Sequence, residues 1–350
     1  MIRNKKAAAA IAAGAVGLLA VAAFFFVRSL QNAQGYESAT NALGNTVQQT
    51  VYGKTRKSAA TAAAASVERL ENQISWQIDG SDVARLNEAA GTDWITIDSQ
   101  TTAVLKTCLD AAEKSGGAFD PTIFPLSSLW DFGGQNQHIP EKNQIRDFLP
   151  YVNYRNLRIS ITESTASLKL HSTAIDLSTV EKGAACDAAV QEYRKAGVSG
   201  AIVAVGESVG VYGQKPDRAV WQVAVRGLEA PGEQSATVGQ VDLGSGFLST
   251  CRIDQSSFAK NGVLYHHVLD PRTGYPAASG LASVTVRSES GTLSDALAYA
   301  CFVLGTEKGT ALLNQYHADG IFIDQTKKIC VTGSLKTGFR ITNNTYTLAK

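Results

Sequence analysis

The chain has 350 residues, 44% of them hydrophobic, and a formal net charge of +1. That length buries a large core in one big domain or two packed lobes, and the near-zero charge offers no basic field, so no nucleic-acid partner is expected. Cys108, Cys186, Cys251, Cys301 and Cys330 form no CxxC pair and have no histidine at metal-ligand spacing, which indicates neither a zinc site nor a disulfide framework.

At the amino terminus Arg3, Lys5 and Lys6 precede an uncharged apolar run from Ala7 to Val27, long enough at 1.5 Å per residue to cross a hydrocarbon core of roughly 30 Å. Arg28 ends it. The basic flank leads, so residues 1–6 are expected in the cytoplasm and everything after the run outside, with 7–27 as a single-pass anchor or, alternatively, a cleaved signal. Residues 28–40 are polar and small and read as a linker, which leaves 41–350 as the folded domain.

Within that domain, Asn45 to Lys54 alternates like a strand, and Lys57 to Ile74 is an alanine-rich amphipathic helix. Thr101 to Ser115 is a second helix, ended by Gly116-Gly117. The segment from Phe119 to Gly133 contains Pro121 and Pro125 and is expected to be an irregular loop, on its residues alone a hydrophobic plug. A short helix from Lys142 to Leu149 and a strand pair, LRISIT and ASLKLHS, follow. Ala174 to Leu177 reads as a buried strand, after which Ser178 and Glu181 make a capping-box pair for a helix running to Gly197. This puts Asp176 at a strand end and Lys182 and Gly183 in a first helical turn, which is either an anion-binding position or an ordinary junction.

GAIVAV and SVGVYG are short strands around Gly206-Glu207-Ser208, and WQVAVRG continues the sheet. The stretch YHHVLDPRTGYP, Tyr265 to Pro276, sets two histidines before an Asp-Pro turn in which Thr273-Gly274 supplies positive-φ freedom. Adjacent side chains of a strand point to opposite faces, so only one of His266 and His267 looks into a given cleft. Ser294 is expected to cap a helix on which Asp295 and Tyr299 share a face. GIFID, KICVT and FRITNN then close a sheet.

Five segments, in order and spacing, resemble the bacterial FAD:protein FMN transferases, or flavin transferases: Ser75 to Asn87, Phe119 to Gly133, Ala174 to Asp187, Tyr265 to Pro276, and Ser294 to Gly305. The resemblance implies a single large α+β domain of mixed sheets flanked by helices. It also implies transfer of FMN from FAD to a threonine hydroxyl of a partner flavoprotein, with release of AMP and dependence on Mg²⁺. His267 stands at the family's base position. Phe119, Asp120 and Pro121 would line the flavin-nucleotide cleft, with Asp176, Lys182 and Val268 as further contacts. Thr179 and Asp295 match the family's metal ligands, and Tyr299 stands where it has a threonine. Other departures are Leu43-Gly44-Asn45 for Met-Gly-Thr, and Ala204, Glu207 and Ser208 for the Asn, second Gly and Asp of an Asn-x-Gly-Gly-Asp turn. Thr250 to Asp254 stand for Thr-Ser-Gly-Asp-Tyr. With no cysteine before Cys108 a lipid anchor is not expected, and the implied acceptors are flavoprotein subunits of membrane redox complexes on the outer side of the membrane. Two rival readings keep the fold: a protein that binds or hydrolyses FAD without efficient transfer, and a membrane-tethered interaction domain.

Overall fold

Apolar residues two apart, Val47 and Val51 in one strand and Ala201, Val203 and Val205 in its neighbour, give this chain a sheet face that must be covered by helices. The computed structural model describes residues 34–349 apart from 229–236 and 255. The nine strands of its main sheet stand side by side in chain order. They are β1 (Tyr36–Ala42), β2 (Asn45–Tyr52), β3 (Gly200–Val205), β4 (Ser208–Gly213), β5 (Gly246–Arg252), β6 (Leu281–Ser288), β7 (Asp319–Asp324), β8 (Lys328–Val331) and β9 (Thr347–Leu348). Neighbours are antiparallel except β8 and β9. The helices α1 (Arg56–Ile74), α2 (Ser99–Lys114), α4 (Glu181–Lys195) and α5 (Gly291–Gln315) cover one face, with the short α3 (Phe124–Trp130) at its margin. A three-stranded sheet of Trp221–Arg226, Thr237–Leu243 and Phe339–Ile341 covers the other. Strand β7 shows why both covers are needed: Phe322 enters the helical core, while Ile321 and Ile323 enter the second one. The α+β expectation is met.

Several local expectations are corrected. The linker expected at 28–40 runs into β1, which pairs with β2 from Tyr36↔Val51 to Ala42↔Asn45. Its mostly exposed polar face is that of an edge strand, which composition alone does not separate from a linker. Leu43 and Gly44, both at positive φ, form the two-residue turn between them. Ala174 to Leu177 is not a strand; it makes one bridge, Ala174 to Ile123, and the Asp176 N–H donates to the Pro121 carbonyl. The Phe119 to Gly133 segment contains α3, whose first turn accepts Pro125 because the missing N–H is not needed there. FRITNN contributes to the three-stranded sheet instead of the main one. The apolar run at 7–27 lies outside the described residues, and among those described no helix is long and apolar enough to cross a membrane.

Two helix starts also move. Helix α4 begins at Glu181 without a side-chain cap, because the Ser178 N–H is bound by Asp176 Oδ1 at 2.9 Å in a local turn. Helix α5 begins at Gly291, capped by Ser290, while Ser294 Oγ donates to the Val286 carbonyl. The two helices are tied by Asp187, whose carboxylate accepts from the N–H groups of Gly291 and Thr292 and the hydroxyls of Ser290 and Thr292. Burial pushes this carboxyl upward, and those four donors oppose the shift. At the crossing Gly183 and Gly291 meet backbone to backbone, so a Cβ on Gly183 would strike the Gly291 carbonyl. Gly183→Ala is therefore expected to cost roughly 1 to 3 kcal/mol by overpacking, read as a lower midpoint in urea denaturation with an unchanged slope.

Candidate active site

The turn chemistry of the Tyr265 to Pro276 stretch fixes one wall. Asn261 and Gly262, both at positive φ, close a hairpin of Ser257–Lys260 and Val263–His266. His266 ends its second strand with its ring buried against Phe302, centroids 5.7 Å apart. His267 follows and turns into the cleft. Its backbone N–H and its Nδ1 both reach the Ser256 carbonyl, at 3.0 and 3.2 Å. A carbonyl only accepts, so Nδ1 carries the proton and Nε2 keeps its lone pair. Burial lowers the ring to a pKa of about 4, which leaves it neutral at pH 7.

The opposite wall comes from α4 and α5. The N-terminal turn of α4, read from sequence as either an anion-binding position or an ordinary junction, is occupied by a side chain: Gly183 N–H donates to Asp295 Oδ2 at 2.6 Å. Ser208 Oγ donates to Asp295 Oδ1 at 2.6 Å. Burial still raises the Asp295 carboxyl to about 6, with the Ser208 hydroxyl the strongest opposing contact. Glu181 is raised to about 7, first by burial and then by Asp176 and Asp295, while Lys182 pulls it down from 3.7 Å.

These groups surround a polar chamber of about 180 Å³ lined by Lys182, Glu207, Thr250 and Asp295. It joins an outer cleft of about 540 Å³ walled by Trp76, Phe124, Phe132 and Asp176. Ser178, Thr179, His267 and Tyr299 line both, so His267 stands at the junction. The outer wall is aromatic: Trp76 meets the Phe124 ring edge-on at 4.6 Å. The Phe119 to Gly133 segment is latched to the Gly-Tyr-Pro turn by Trp130 Nε1, which donates to the Gly274 carbonyl at 2.8 Å.

Of the residues expected in the site, His267, Asp176, Thr179, Lys182, Asp295 and Tyr299 come together there. Phe119, Asp120, Pro121 and Val268 do not line it. They are buried behind it, and their segment presents Ile123, Phe124 and Ser127 instead. Asp120 accepts from Thr122 and from the Tyr154 N–H, which shapes the loop. Phe119 packs edge-on against Tyr299 at 6.1 Å. The Tyr299 hydroxyl donates to the Leu269 carbonyl at 2.8 Å, so the phenol braces the histidine turn and is not offered as a metal ligand. Sequence reasoning missed Trp76, whose 38% exposure just after α1 marks an apolar ring left for a cleft. It also missed that two departures are partners, since Arg252 Nη2 donates to Glu207 Oε1 at 3.2 Å.

A family model described as the ApbE family matches residues 43–322. The FAD:protein FMN transferase of Treponema pallidum is 29% identical over 333 residues, covering 90% of this chain and 91% of that protein. The FAD:protein FMN transferase of Vibrio cholerae is 28% identical over 255 residues, covering 70% and 73%. The crystal structure of the ApbE protein of Thermotoga maritima superposes with a TM-score of 0.79 at 29% identity, over 88% of this chain and 100% of that one. The flavin transferase ApbE of Vibrio cholerae, at 23% identity, shares the fold with a TM-score of 0.77 over 87% and 99%. The family model spans well over half of the sequence and the superposition covers the same frame, so the chain belongs to the ApbE family, the flavin transferases that its five segments resemble.

Proposed function

We propose that this chain transfers FMN from FAD to a threonine hydroxyl of a partner flavoprotein. The observation that carries this reading is His267, neutral and fixed through Nδ1, with Nε2 free at the junction of a polar chamber and an aromatic cleft. The aromatic cleft suits a flavin ring, and Lys182 in the chamber suits a pyrophosphate. The threonine oxygen attacks the phosphorus on the flavin side, the bond to the bridging oxygen breaks, and AMP leaves with that oxygen. The hydroxyl proton passes to His267 Nε2. Tyr299 holds the turn that carries the base through the Leu269 carbonyl.

The donor set fits a hard cation. Asp295 and Asp176 line the site with Glu181 close by; burial raises Asp295, burial and the other two carboxylates raise Glu181, and Lys182 opposes both shifts. Among the described residues no three His, Cys, Asp or Glu converge closely enough to hold a metal by themselves. Mg²⁺ takes one or two protein carboxylates and completes its shell with water and substrate phosphate. Asp295 and Thr179 would hold it. When bound, Mg²⁺ neutralises charge on the pyrophosphate. The apolar run at 7–27 supports a single-pass anchor with the domain on the outer side of the membrane, within reach of flavoprotein subunits of membrane redox complexes.

His267→Ala is expected to slow single-turnover transfer at saturating FAD by ~10² to 10⁴-fold, roughly 3 to 5 kcal/mol, with FAD affinity nearly unchanged. His266→Ala is expected to lower stability and leave the rate within a few-fold. Equal small losses in both would remove His267 as the base. An FAD-hydrolysing protein would release FMN and AMP without adding mass to a threonine-containing acceptor, so mass spectrometry of the acceptor separates the two activities.

Asp295→Ala is expected to abolish the response of transfer to added Mg²⁺, since it removes the one carboxylate assigned to the cation. A Mg²⁺ titration that still saturates at the wild-type concentration would move the metal elsewhere.

A further inference from the structure

The polar chamber holds a carboxylate that the transfer reaction leaves unused. Glu207 occupies the turn between β3 and β4, where Gly206 takes a φ of 55°. Its side chain lines the chamber and is 18% exposed. From behind, Arg252, whose side chain is 6% exposed, meets Glu207 Oε1 at 3.2 Å, and Arg226 reaches the same oxygen at 3.7 Å. Arg252 is itself held by the Gly227 carbonyl at 3.0 Å and by Asp254 at 3.4 Å. An ion pair built this way fixes the orientation of the carboxylate. Both of these arginine contacts reach Oε1, and Glu207 lines the chamber they brace.

A fixed carboxylate repels phosphate and accepts from hydroxyls. The chamber thus offers two unlike groups, Lys182 for phosphate and Glu207 for a polyol. We infer that Glu207, positioned by Arg252, reads a vicinal diol of the bound dinucleotide and so sets which way the dinucleotide lies in the cleft. This rests on the flavin-transfer reading above. FAD carries such hydroxyls in two places, on the ribose of its adenosine half and on the ribityl chain of its flavin half, and both offer the same chemistry.

The test is equilibrium binding, followed by flavin fluorescence, of FAD and of two analogues to the full-length protein without Mg²⁺. One analogue lacks the ribose 2′-hydroxyl and the other lacks a ribityl hydroxyl. For the wild-type protein one of the two is expected to bind at least about tenfold more weakly than FAD, and which one identifies the diol. In Glu207→Gln that preference is expected to fall below about threefold, because the charged acceptor is gone. Equal binding of FAD and both analogues to the wild-type protein overturns the assignment without any variant, and so does a preference that survives intact in folded Glu207→Gln. If the wild-type protein binds no FAD at all, the flavin-transfer reading fails and the assignment falls with it. Binding of FAD with no discrimination leaves that reading standing and removes only this one.

Discussion

The buried carboxylate of Asp295 is the joint on which the site depends. It rises from α5, closes the amino-terminal turn of α4 through Gly183, and reaches the first residue of β4 through Ser208. A charge placed there without those donors would be strongly unfavourable, and the positive end of a helix is where such a charge is best tolerated. The bond to Gly183 forms only because glycine lets α4 and α5 approach backbone to backbone. Asp187, one turn further along α4, repeats the device on the first turn of α5. The backbone turn that carries Lys182 is therefore tied to Asp295 through Gly183.

The histidine wall rests on a different principle. Its backbone has little regular structure, and it is held by side chains reaching into turns: Trp130 to Gly274, Tyr299 to Leu269, and the His267 ring to Ser256. Phe132, Phe258 and Tyr265 stack beside Trp130 and keep the hairpin against α3. The bulky phenol at Tyr299 thus braces the turn that carries the base.

Much of the frame was legible in the sequence because period-two alternation and glycine stops are local signals, as in Asn45–Tyr52 and at Gly116-Gly117. The failures also have local causes. β1 is polar because it is an edge, Ile175 and Leu177 are apolar without strand pairing because they are buried behind the cleft, and Asp176 captured an N–H that would otherwise have shown where α4 begins. In the site, alternation separated the rings of His266 and His267, and the motif segments located the walls. Which face of a segment meets the cleft was not legible, since Phe119 to Pro121 and Val268 turn inward only in the assembled core. The pairing of Glu207 with Arg252 spans 45 positions and has no local signature.

The main sheet meets its strands in the order in which they occur, so nearly every group in the site belongs to an excursion between two neighbouring strands. Asp176 to Lys182 lie in the excursion from β2 to β3, His267 in that from β5 to β6, and Asp295 in that from β6 to β7. Closing a longer loop costs little extra, about 0.6 kcal/mol for each doubling of its length. Such a scaffold lets cleft walls lengthen, shorten and change chemistry while the strand register stays fixed. Glu207 sits instead in the tight turn between β3 and β4, which leaves no slack, so altering the cleft there means changing the residue instead of the loop.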